Sequence, residues 1–373
     1  MKNVLFVLVF LVFAISEIFA GTLVYETDEP AGGCLAIGPN QKCYYAAVSS
    51  VASTKVIMIT NAYDEWTTSV VYEGHGFITR NSIAFNSEGN PVVLISPWSH
   101  TDPFLIARYN GSTWDIEDTG IHGFYGAIVM DQDNRIDIFY NSLDPTFYSN
   151  PYYLSWMYKS GSTWQTQPLD TTAPCGSISS VRRDDGSIHL AYTVYSSSIY
   201  RIRYATKIGD AWSIQTRKTS PMYDIYAPVI LSFDNHDHPW IAHGKIGYPD
   251  NISCIHWNGS SWQDEILISQ TSIYLSDMRT DIRGYPFIAY CSGHTIKTSY
   301  YIYNNGYGWS SPILLQEKTN ESDSIKLPII AFDSNNTLWN SYEYDTYEGG
   351  KMLHFARIDN YQSLGARYWQ IWE

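Results

Sequence analysis

The sequence is poor in charged residues: Asp, Glu, Lys and Arg together make up 16% of its 373 residues, against about a quarter of an average soluble domain. Runs of Ala, Leu, Glu and Lys are scarce, which excludes a helical bundle or a coiled coil. The formal net charge is −14, so the basic excess that general binders of nucleic acid or anionic membranes use is absent. We therefore expect no nucleic-acid partner.

Motifs for common cofactors and metals are also missing. The chain has no Gly-rich phosphate loop, no nucleophile elbow and no His-x-x-x-His pair, so we predict no cofactor and no metal. It has five cysteines but no Cys-x-x-Cys motif, which gives a zinc or redox site little support. The odd count leaves at least one thiol outside any intramolecular disulfide. Buried structural cysteines, among which a disulfide is allowed, are the favoured interpretation.

Long hydrophobic runs are limited to the N-terminus. Lys2 precedes an apolar run from Val4 to Ile15, and Ala20 offers a small residue for cleavage. This pattern predicts a signal peptide over residues 1–20 and a protein that is secreted, extracellular or periplasmic. The run is short for a membrane span, and no second run of eighteen apolar residues follows. Residues 21–373 are expected to form one domain without a membrane-spanning segment.

Aromatic residues are what the sequence has in excess. They make up 16% of the chain, with 31 Tyr, 13 Trp and 14 Phe, and so equal the charged residues in number. Tyr, Trp, Thr, Val and Ile all favour strands, because their side chains pack well on a pleated surface. The composition therefore predicts an all-β fold.

A turn followed by tryptophan recurs every 47 to 50 residues. Its copies end at Trp66, Trp114, Trp164, Trp212, Trp262 and Trp309. A large apolar side chain repeated at such a period most often packs between neighbouring structural units. We therefore expect each tryptophan to lie between two units of the repeat rather than in a ligand site.

A second repeated unit is a strand, a tight turn and another strand. One turn position is held by Gly, Asn, Asp or Gln in all seven copies, at Gln41, Gly89, Asn134, Gly186, Asp237, Gly284 and Asn336. Most of these residue types tolerate the left-handed backbone. Asp or Asn three positions earlier, as at Asp234, caps a type I turn with its side chain. The turns are thus explained mechanically, without a bound ligand.

Each period therefore contains four strands, A to D, arranged as two hairpins with the tryptophan at the start of strand D. Seven turns in about 350 residues predict a seven-bladed β-propeller of four-stranded antiparallel blades. The N- and C-terminal segments must meet to close the ring. Either Thr22–Thr27 or Tyr368–Trp372 can supply the closing strand D, beside Met352–Ile358 as strand C.

The glycine-plus-tryptophan turns resemble the Asp-box, or bacterial neuraminidase repeat, of sialidase-like propellers. The full Asp-box reads Ser-x-Asp-x-Gly-x-x-Trp. Its Gly and Trp are kept in Gly111/Trp114, Gly161/Trp164, Gly259/Trp262 and Gly306/Trp309. Its Ser and Asp are replaced, in the second copy by Ala107 and Tyr109. The resemblance covers nearly the whole chain after residue 20, and it implies a propeller of the kind found in sialidases, polysaccharide lyases, lectins and interaction domains.

Sialidases are similar in placing an arginine at the head of an inner strand, within an aromatic-Arg-Ile-Pro segment. The matching segment here is Phe77–Ser82, with Arg80 at the expected place but without Ile-Pro. The other arginines do not complete a carboxylate-binding triad, and sialidase propellers have six blades. The resemblance therefore implies the fold and a possible anion-binding role for Arg80, and it gives sialidase activity little support.

Candidate ligand-binding residues lie at the head of one inner strand and in the B–C and D–A loops, which share one face of a propeller. Variable loops on a rigid frame commonly carry function. Aromatic side chains with interspersed carboxylates and imidazoles suit a sugar, since rings stack on its C–H groups and polar groups bond its hydroxyls. The candidates are Arg80, Trp98, His100, Asp102, Asp144, Tyr226, His243, His294 and Glu343.

Three functions are compatible with this pattern. The leading hypothesis is a non-enzymatic propeller that binds a glycan or an extracellular protein. The second is a carbohydrate-active enzyme, either a glycosidase using two loop carboxylates or a polysaccharide lyase using a His, Tyr226 and Arg80. The third is a structural or adhesive module. No catalytic residue is assigned, because no catalytic constellation stands out from the repeats.

Overall fold

Strands make up the regular structure of the chain. The structure is a computed structural model that describes residues 22–28, 32–49, 55–99, 101–142, 153–221, 228–245, 250–316, 318, 320–346 and 349–358. These residues form 27 β-strands and no helix, so none of them belongs to a helix that could cross a bilayer. The predicted signal peptide and the segment Tyr368–Trp372 lie outside the described residues. The all-β prediction is confirmed.

Four of the six sheets have four strands that follow one another along the chain, each antiparallel to the next. Sheet I contains β2 (Cys34–Ile37), β3 (Cys43–Ser49), β4 (Lys55–Thr60) and β5 (Thr67–Glu73). Sheet III contains β13 (Cys175–Arg182), β14 (Ile188–Ser196), β15 (Ile199–Ile208) and β16 (Ala211–Pro221). Sheet IV contains β17 (Val229–Phe233), β18 (Pro239–Lys245), β19 (Asp250–Trp257) and β20 (Trp262–Gln270). Sheet V contains β21 (Ile273–Thr280), β22 (Pro286–Ser292), β23 (Thr298–Tyr303) and β24 (Ile313–Leu314).

Sheet II is longer because one strand serves two neighbouring units. Its strands are β6 (Ile83–Phe85), β7 (Pro91–Ile95), β8 (Pro103–Tyr109), β9 (Trp114–Met130), β10 (Ile136–Ser142), β11 (Tyr153–Ser160) and β12 (Thr163–Asp170). The first half of β9 pairs with β8, and its second half pairs with β10. The 17-residue strand therefore corresponds to a strand D that continues directly into the next strand A.

Sheet VI joins the two ends of the described chain. It contains β25 (Ser324–Phe332), β26 (Leu338–Asp345), β27 (Lys351–Ile358) and β1 (Thr22–Thr27). The first strand of the chain thus pairs antiparallel with the last described one. The sequence left two segments open for this position, and Thr22–Thr27 is the one found beside β27.

The repeated turns have the predicted backbone. All seven predicted positions have positive φ: Gln41 (63°), Gly89 (82°), Asn134 (63°), Gly186 (83°), Asp237 (62°), Gly284 (83°) and Asn336 (64°). The side-chain caps are present as well. The Oδ1 atom of Asp281 accepts the backbone N–H groups of Arg283 and Tyr285, each at 2.9 Å. Asp333 does the same for residues 335 and 337.

The repeated tryptophans pack against the preceding unit, as their spacing predicts. Trp212 of sheet III lies edge-on to Phe139 and Trp156 of sheet II, with ring centroids 5.7 and 5.9 Å apart. Trp66, which directly precedes β5 in sheet I, lies 4.7 Å from Phe355 of sheet VI, with the ring planes tilted by 36°. Each of the six belongs to an apolar cluster drawn from two adjacent units. The tryptophans therefore pack between successive units and have a structural role.

All five cysteines are buried and free, so the chain contains no disulfide. Burial raises the pKa of the Cys175 and Cys254 thiols well above the usual range. Because the thiolate is the reactive form, these two cysteines are unreactive at neutral pH. The interpretation as buried structural cysteines is confirmed.

The turn geometry leads to a first prediction. A Cβ atom at Gly186 would meet nothing within 4 Å, so only its φ of 83° opposes a side chain there. We expect Gly186→Ala to lower the free energy of unfolding by about 1 kcal/mol, measured by urea denaturation. Gly186→Asn is the matched control and should cost less, since Asn134 and Asn336 hold the same backbone in other turns. Equal losses for both variants would contradict this account.

A second prediction concerns acid. His189 lies between the Ser187 hydroxyl (2.8 Å) and the Tyr204 hydroxyl (2.6 Å), and burial lowers its pKa to about 4. In the unfolded chain that pKa is about 6.5. Between pH 4 and pH 6.5 the unfolded state binds more protons than the folded state. The free energy of unfolding that neutral His189 contributes is therefore fully present above pH 6.5 and is lost as the pH falls towards 4.

The measurement is the free energy of unfolding at pH 7 and at pH 5, in the native protein and in His189→Gln. We expect the loss of stability between the two pH values to be smaller in the variant. His256 and His354 also have lowered pKa values through burial, so part of the loss should persist. An unchanged difference would contradict the assignment.

Candidate functional site

The connections between strands differ on the two sides of the molecule on which the strands end. The A–B and C–D turns lie on one side, which we call the turn face. The B–C and D–A connections lie on the opposite side, which we call the loop face, because successive strands are antiparallel. The predicted ligand-binding loops all belong to the loop face.

Four aromatic rings gather on the loop face, from the D–A connection before β6, the B–C loop between β7 and β8, and the middle of β9. We call His75, Phe77, Trp98 and Tyr125 the aromatic platform. Phe77 stacks on Trp98 with ring centroids 4.7 Å apart and planes 22° from parallel. His75 lies 5.9 Å from Trp98, and Tyr125 lies 6.3 Å from Phe77. Trp98 is 51% exposed and Tyr125 is 55% exposed. Large exposed rings in contact are typical of a binding surface.

Glycines and a bulge hold the platform in place. Phe77 and Ser96 exchange two backbone hydrogen bonds, of 2.8 and 3.0 Å. A Cβ atom at Gly76 would lie 2.4 Å from the Ile95 side chain, so this close approach of two chain segments needs glycine. Tyr125 has a φ of 45° and lies where the register between β9 and β10 shifts. Such bulges redirect a side chain, here the Tyr125 ring.

A polar cavity of about 360 Å³ lies among the A strands. It is lined by residues from the first strand of every repeat, most of them at the strand ends next to the A–B turns. Thr79, which precedes Arg80, donates to the carbonyl of Gly126 at 2.6 Å and so ties the segment before β6 to the residue that follows Tyr125 of the platform. Arg80 and Arg279 both line the cavity, together with the hydroxyl residues Ser180, Ser232 and Thr280.

The charged side chains in and next to this cavity differ in how many partners they have. Asp277 is fully buried and pairs with Arg279 at 3.1 Å. Its carboxylate also accepts the backbone N–H of Ile330 at 3.1 Å and of Met278 at 2.9 Å. Arg80 is different, because its Nη1 atom is buried and has no hydrogen-bond partner among the described residues. Burial lowers the pKa of Arg80, and the nearby Asp277 opposes this shift.

Two arginine residues thus line the cavity, and the one buried carboxylate close to both of them is that of Asp277. A buried donor without a partner is costly, so it favours the entry of a group that can accept its hydrogen bond. The hydroxyl of Ser180 is a second buried atom of the cavity without a partner in the described chain. The arrangement suits an anion, such as a carboxylate or a sulfate.

Of the residues that the sequence singled out, the structure brings Arg80 and Trp98 into one region through the segment that follows β5. Asp102 is in the same B–C loop as Trp98, where its carboxylate accepts the backbone N–H of Ser99 at 3.1 Å and so stabilises the loop. His100, Asp144 and Tyr226 lie outside the described residues.

The remaining three candidates belong to three other sheets. His243 in sheet IV is buried, with Lys218 at 3.4 Å and Asp264 at 4.0 Å, and burial lowers its pKa. His294 is exposed in the turn between β22 and β23. Glu343 in sheet VI forms ion pairs with Lys326 at 3.5 Å and Lys351 at 3.7 Å.

His75, Phe77, Tyr125 and Arg279 were not among the residues predicted for the site. A signal for three of them exists, since the segments Gly74–Phe77 and Gly123–Gly126 place aromatic residues between glycines at D–A connections. Arg279 gave no comparable signal, because only the convergence of A strands brings it to the cavity.

The sequence matches no family model and no curated protein, but its fold matches solved structures. An ulvan lyase of a new polysaccharide lyase family, bound to a saccharide of glucuronate and rhamnose 3-sulfate, superposes with a TM-score of 0.58 at 11% identity, over 92% of this chain and 96% of that one. Polysaccharide lyase Uly1 gives a TM-score of 0.56 at 9% identity, over 91% and 100%. A protein of unknown function from Dyadobacter fermentans gives 0.51 at 11% identity, over 74% and 94%. At these identities the likeness concerns the propeller-like, all-β fold alone.

The cavity leads to a third prediction. Asp277→Ala should lower the free energy of unfolding by about 3 kcal/mol, because it leaves Arg279 and the Ile330 N–H without their buried partner. Arg80→Met should change it by less than about 1 kcal/mol, since the apolar side chain removes a desolvated charge whose Nη1 atom makes no hydrogen bond. Urea denaturation of both variants tests this. A loss in Arg80→Met as large as that in Asp277→Ala would show that Arg80 is a structural residue.

Proposed function

We propose that the chain is a secreted, seven-bladed β-propeller that binds an acidic glycan on its loop face. Seven blades follow if sheet II is divided within β9, so that β6 to β8 and β10 to β12 each share one part of that strand. Seven A–B turns with the same backbone support this division.

Ring closure is part of the proposal. The pairing of β1 with β27 supports it, because this makes the N-terminal strand the strand D of the last blade. The backbone N–H of Ser334 also donates to the side chain of Gln41 at 2.6 Å, across 293 residues. The apolar cluster that contains Tyr45 and Phe355 joins the first and last units in the same way. The resemblance to Asp-box repeats remains a prediction that accords with this architecture.

The observation that carries the binding proposal is the exposed aromatic platform, whose residue Phe77 lies on the same D–A connection as the cavity residue Arg80. Trp98 and Tyr125 offer faces on which the C–H groups of a sugar ring can stack. The unpartnered Nη1 of Arg80 and the neighbouring Arg279 favour a carboxylate or sulfate near the same strand. Together these groups select a sugar that carries a negative charge, although the chain itself has a net charge of −14.

Secretion is proposed from the signal peptide predicted over residues 1–20 and from the ligand class, since large acidic polysaccharides are met outside the cell. The fold neighbours named as polysaccharide lyases agree with a glycan as partner. An extracellular protein that carries such a glycan would engage the same surface.

A lyase is the second candidate, and the fold of the two lyase neighbours favours it. Lyase chemistry needs a base and an acid beside the sugar carboxylate. Of the predicted histidines that the structure describes, His243 is buried against Lys218, and His294 lies in another sheet from Arg80. We propose binding without turnover as the function, and the turnover assay described below separates it from lyase activity.

The fourth prediction tests the platform. A glycan array of acidic and neutral oligosaccharides first identifies a ligand, whose affinity is then measured by titration calorimetry. We expect Trp98→Ala to weaken binding about tenfold, which corresponds to about 1.4 kcal/mol. Tyr307→Ala is the matched control, because Tyr307 is 94% exposed on the turn face, and it should leave the affinity unchanged.

Arg80→Met separates the two parts of the site. It should weaken binding of the charged oligosaccharide and leave binding of a neutral oligosaccharide of equal length unchanged. Equal affinity of native protein, Trp98→Ala and Arg80→Met would overturn the proposed site. Parallel incubations are followed by ultraviolet absorbance of the unsaturated sugar that a lyase forms, and accumulation of that product would establish the lyase instead.

A further inference from the structure

The turn between β17 and β18 differs chemically from the other A–B turns. It places Asp234, His236 and His238 on one short segment of the turn face. In the turn after β21, the positions that match the two histidines hold Arg283 and Tyr285. The backbone of both turns is the same, so the histidines are not needed to form the turn.

The carboxylate of Asp234 is held by the turn itself. Its Oδ1 atom accepts the backbone N–H groups of His236 at 2.8 Å and of His238 at 2.9 Å. The Oδ2 atom accepts a long hydrogen bond of 3.4 Å from the Trp240 indole N–H. The turn therefore fixes the carboxylate through Oδ1, and Oδ2 lies on the side of the His238 imidazole.

The distances suit a shared ion. Nδ1 of His238 lies 3.3 Å from Oδ2 of Asp234. Metal–ligand bonds of about 2.1 Å place neighbouring ligand atoms of a tetrahedral ion about 3.4 Å apart. One ligand atom from each of Asp234, His236 and His238 lies within 4.8 Å of the others. His236 is exposed, so rotation of its side chain can close the remaining gap.

We propose that Asp234, His236 and His238 bind one divalent transition-metal ion on the turn face. Two imidazoles and one carboxylate favour Zn²⁺, Ni²⁺ or Cu²⁺ over Ca²⁺ or Mg²⁺, which prefer oxygen ligands throughout. The ion joins both ends of the turn, because Asp234 follows β17 and His238 precedes β18. This site lies on the opposite side from the aromatic platform and does not depend on the proposed glycan binding.

The fifth prediction is a zinc titration. Protein without an affinity tag is freed of metal with EDTA, and ZnCl₂ binding is measured by calorimetry. We expect one ion per chain. The double variant His236→Ala/His238→Ala should weaken binding at least tenfold or abolish it. His294→Ala is the matched control, since it removes an exposed histidine from a turn in another sheet, and it should not change the affinity.

Asp234→Asn tests the carboxylate without breaking the turn. Asn86 caps the equivalent turn before β7 with its Oδ1 atom at 3.1 and 2.8 Å, so an amide can keep these hydrogen bonds. We expect weaker zinc binding with an unchanged melting temperature in the absence of metal. The visible absorption of the Co²⁺ form reports the coordination of the ion. Unchanged stoichiometry and affinity in the double-histidine variant, or no zinc binding by the native protein, would overturn the proposal, and glycan affinity should be the same with and without zinc.

Discussion

The packing of aromatic and aliphatic side chains between successive sheets is the interaction on which the rest of the structure depends. A four-stranded sheet has two faces, and each face of a sheet in this arrangement is covered by a neighbour. Strands such as β7 and β22 are therefore apolar and buried along nearly their whole length rather than at alternate residues. The tryptophan at the start of each strand D adds a large ring to this contact. Removing one sheet would expose both of its neighbours.

The tight turns make this packing possible at low cost. A side-chain cap and one left-handed residue close each A–B hairpin within a few residues. The strands therefore stay in register, and the connections on the turn face are short. Different residue types meet the same requirement, from Gly186 to Asn134 and Asp237. This tolerance leaves the other turn positions free to vary, and in the turn before β18 two of them are histidines.

Two charged groups where the A strands converge differ in their partners. Asp277 has backbone and arginine partners, whereas Nη1 of Arg80 has none in the described chain. Asp277 is thus part of a structural ion pair, whereas Arg80 is the group that we propose to bind a ligand. The platform residue Phe77 and Arg80 share one D–A connection, and the close approach of Gly76 to Ile95 brings this connection to the B–C loop of Trp98. The sheets thus hold aromatic rings from separate chain segments together.

The amino-acid sequence is enough to predict the all-β class, the period of the repeat, the turn backbone and the packing role of the tryptophans. These features are local or recur at a fixed spacing, so a residue type such as glycine or tryptophan at a given position already implies its surroundings. It also nominated Arg80, through the resemblance to sialidases, and Trp98, as an aromatic loop residue, and their role in binding stays a prediction.

Other features depend on how the sheets pack in three dimensions. They are the terminal segment that pairs with β27, the cavity that Arg279 shares with Arg80, and the burial of His243 beside Lys218. Phe77 and Tyr125 can be recognised in the sequence as aromatic residues of loops. Their contact with each other depends on the angle between the two chain segments that carry them. Such contacts join residues from 25 positions apart, as in Lys218 and His243, to 335 positions apart, as in Thr22 and Arg357. Their geometry is set by how neighbouring sheets pack rather than by any local preference of the chain.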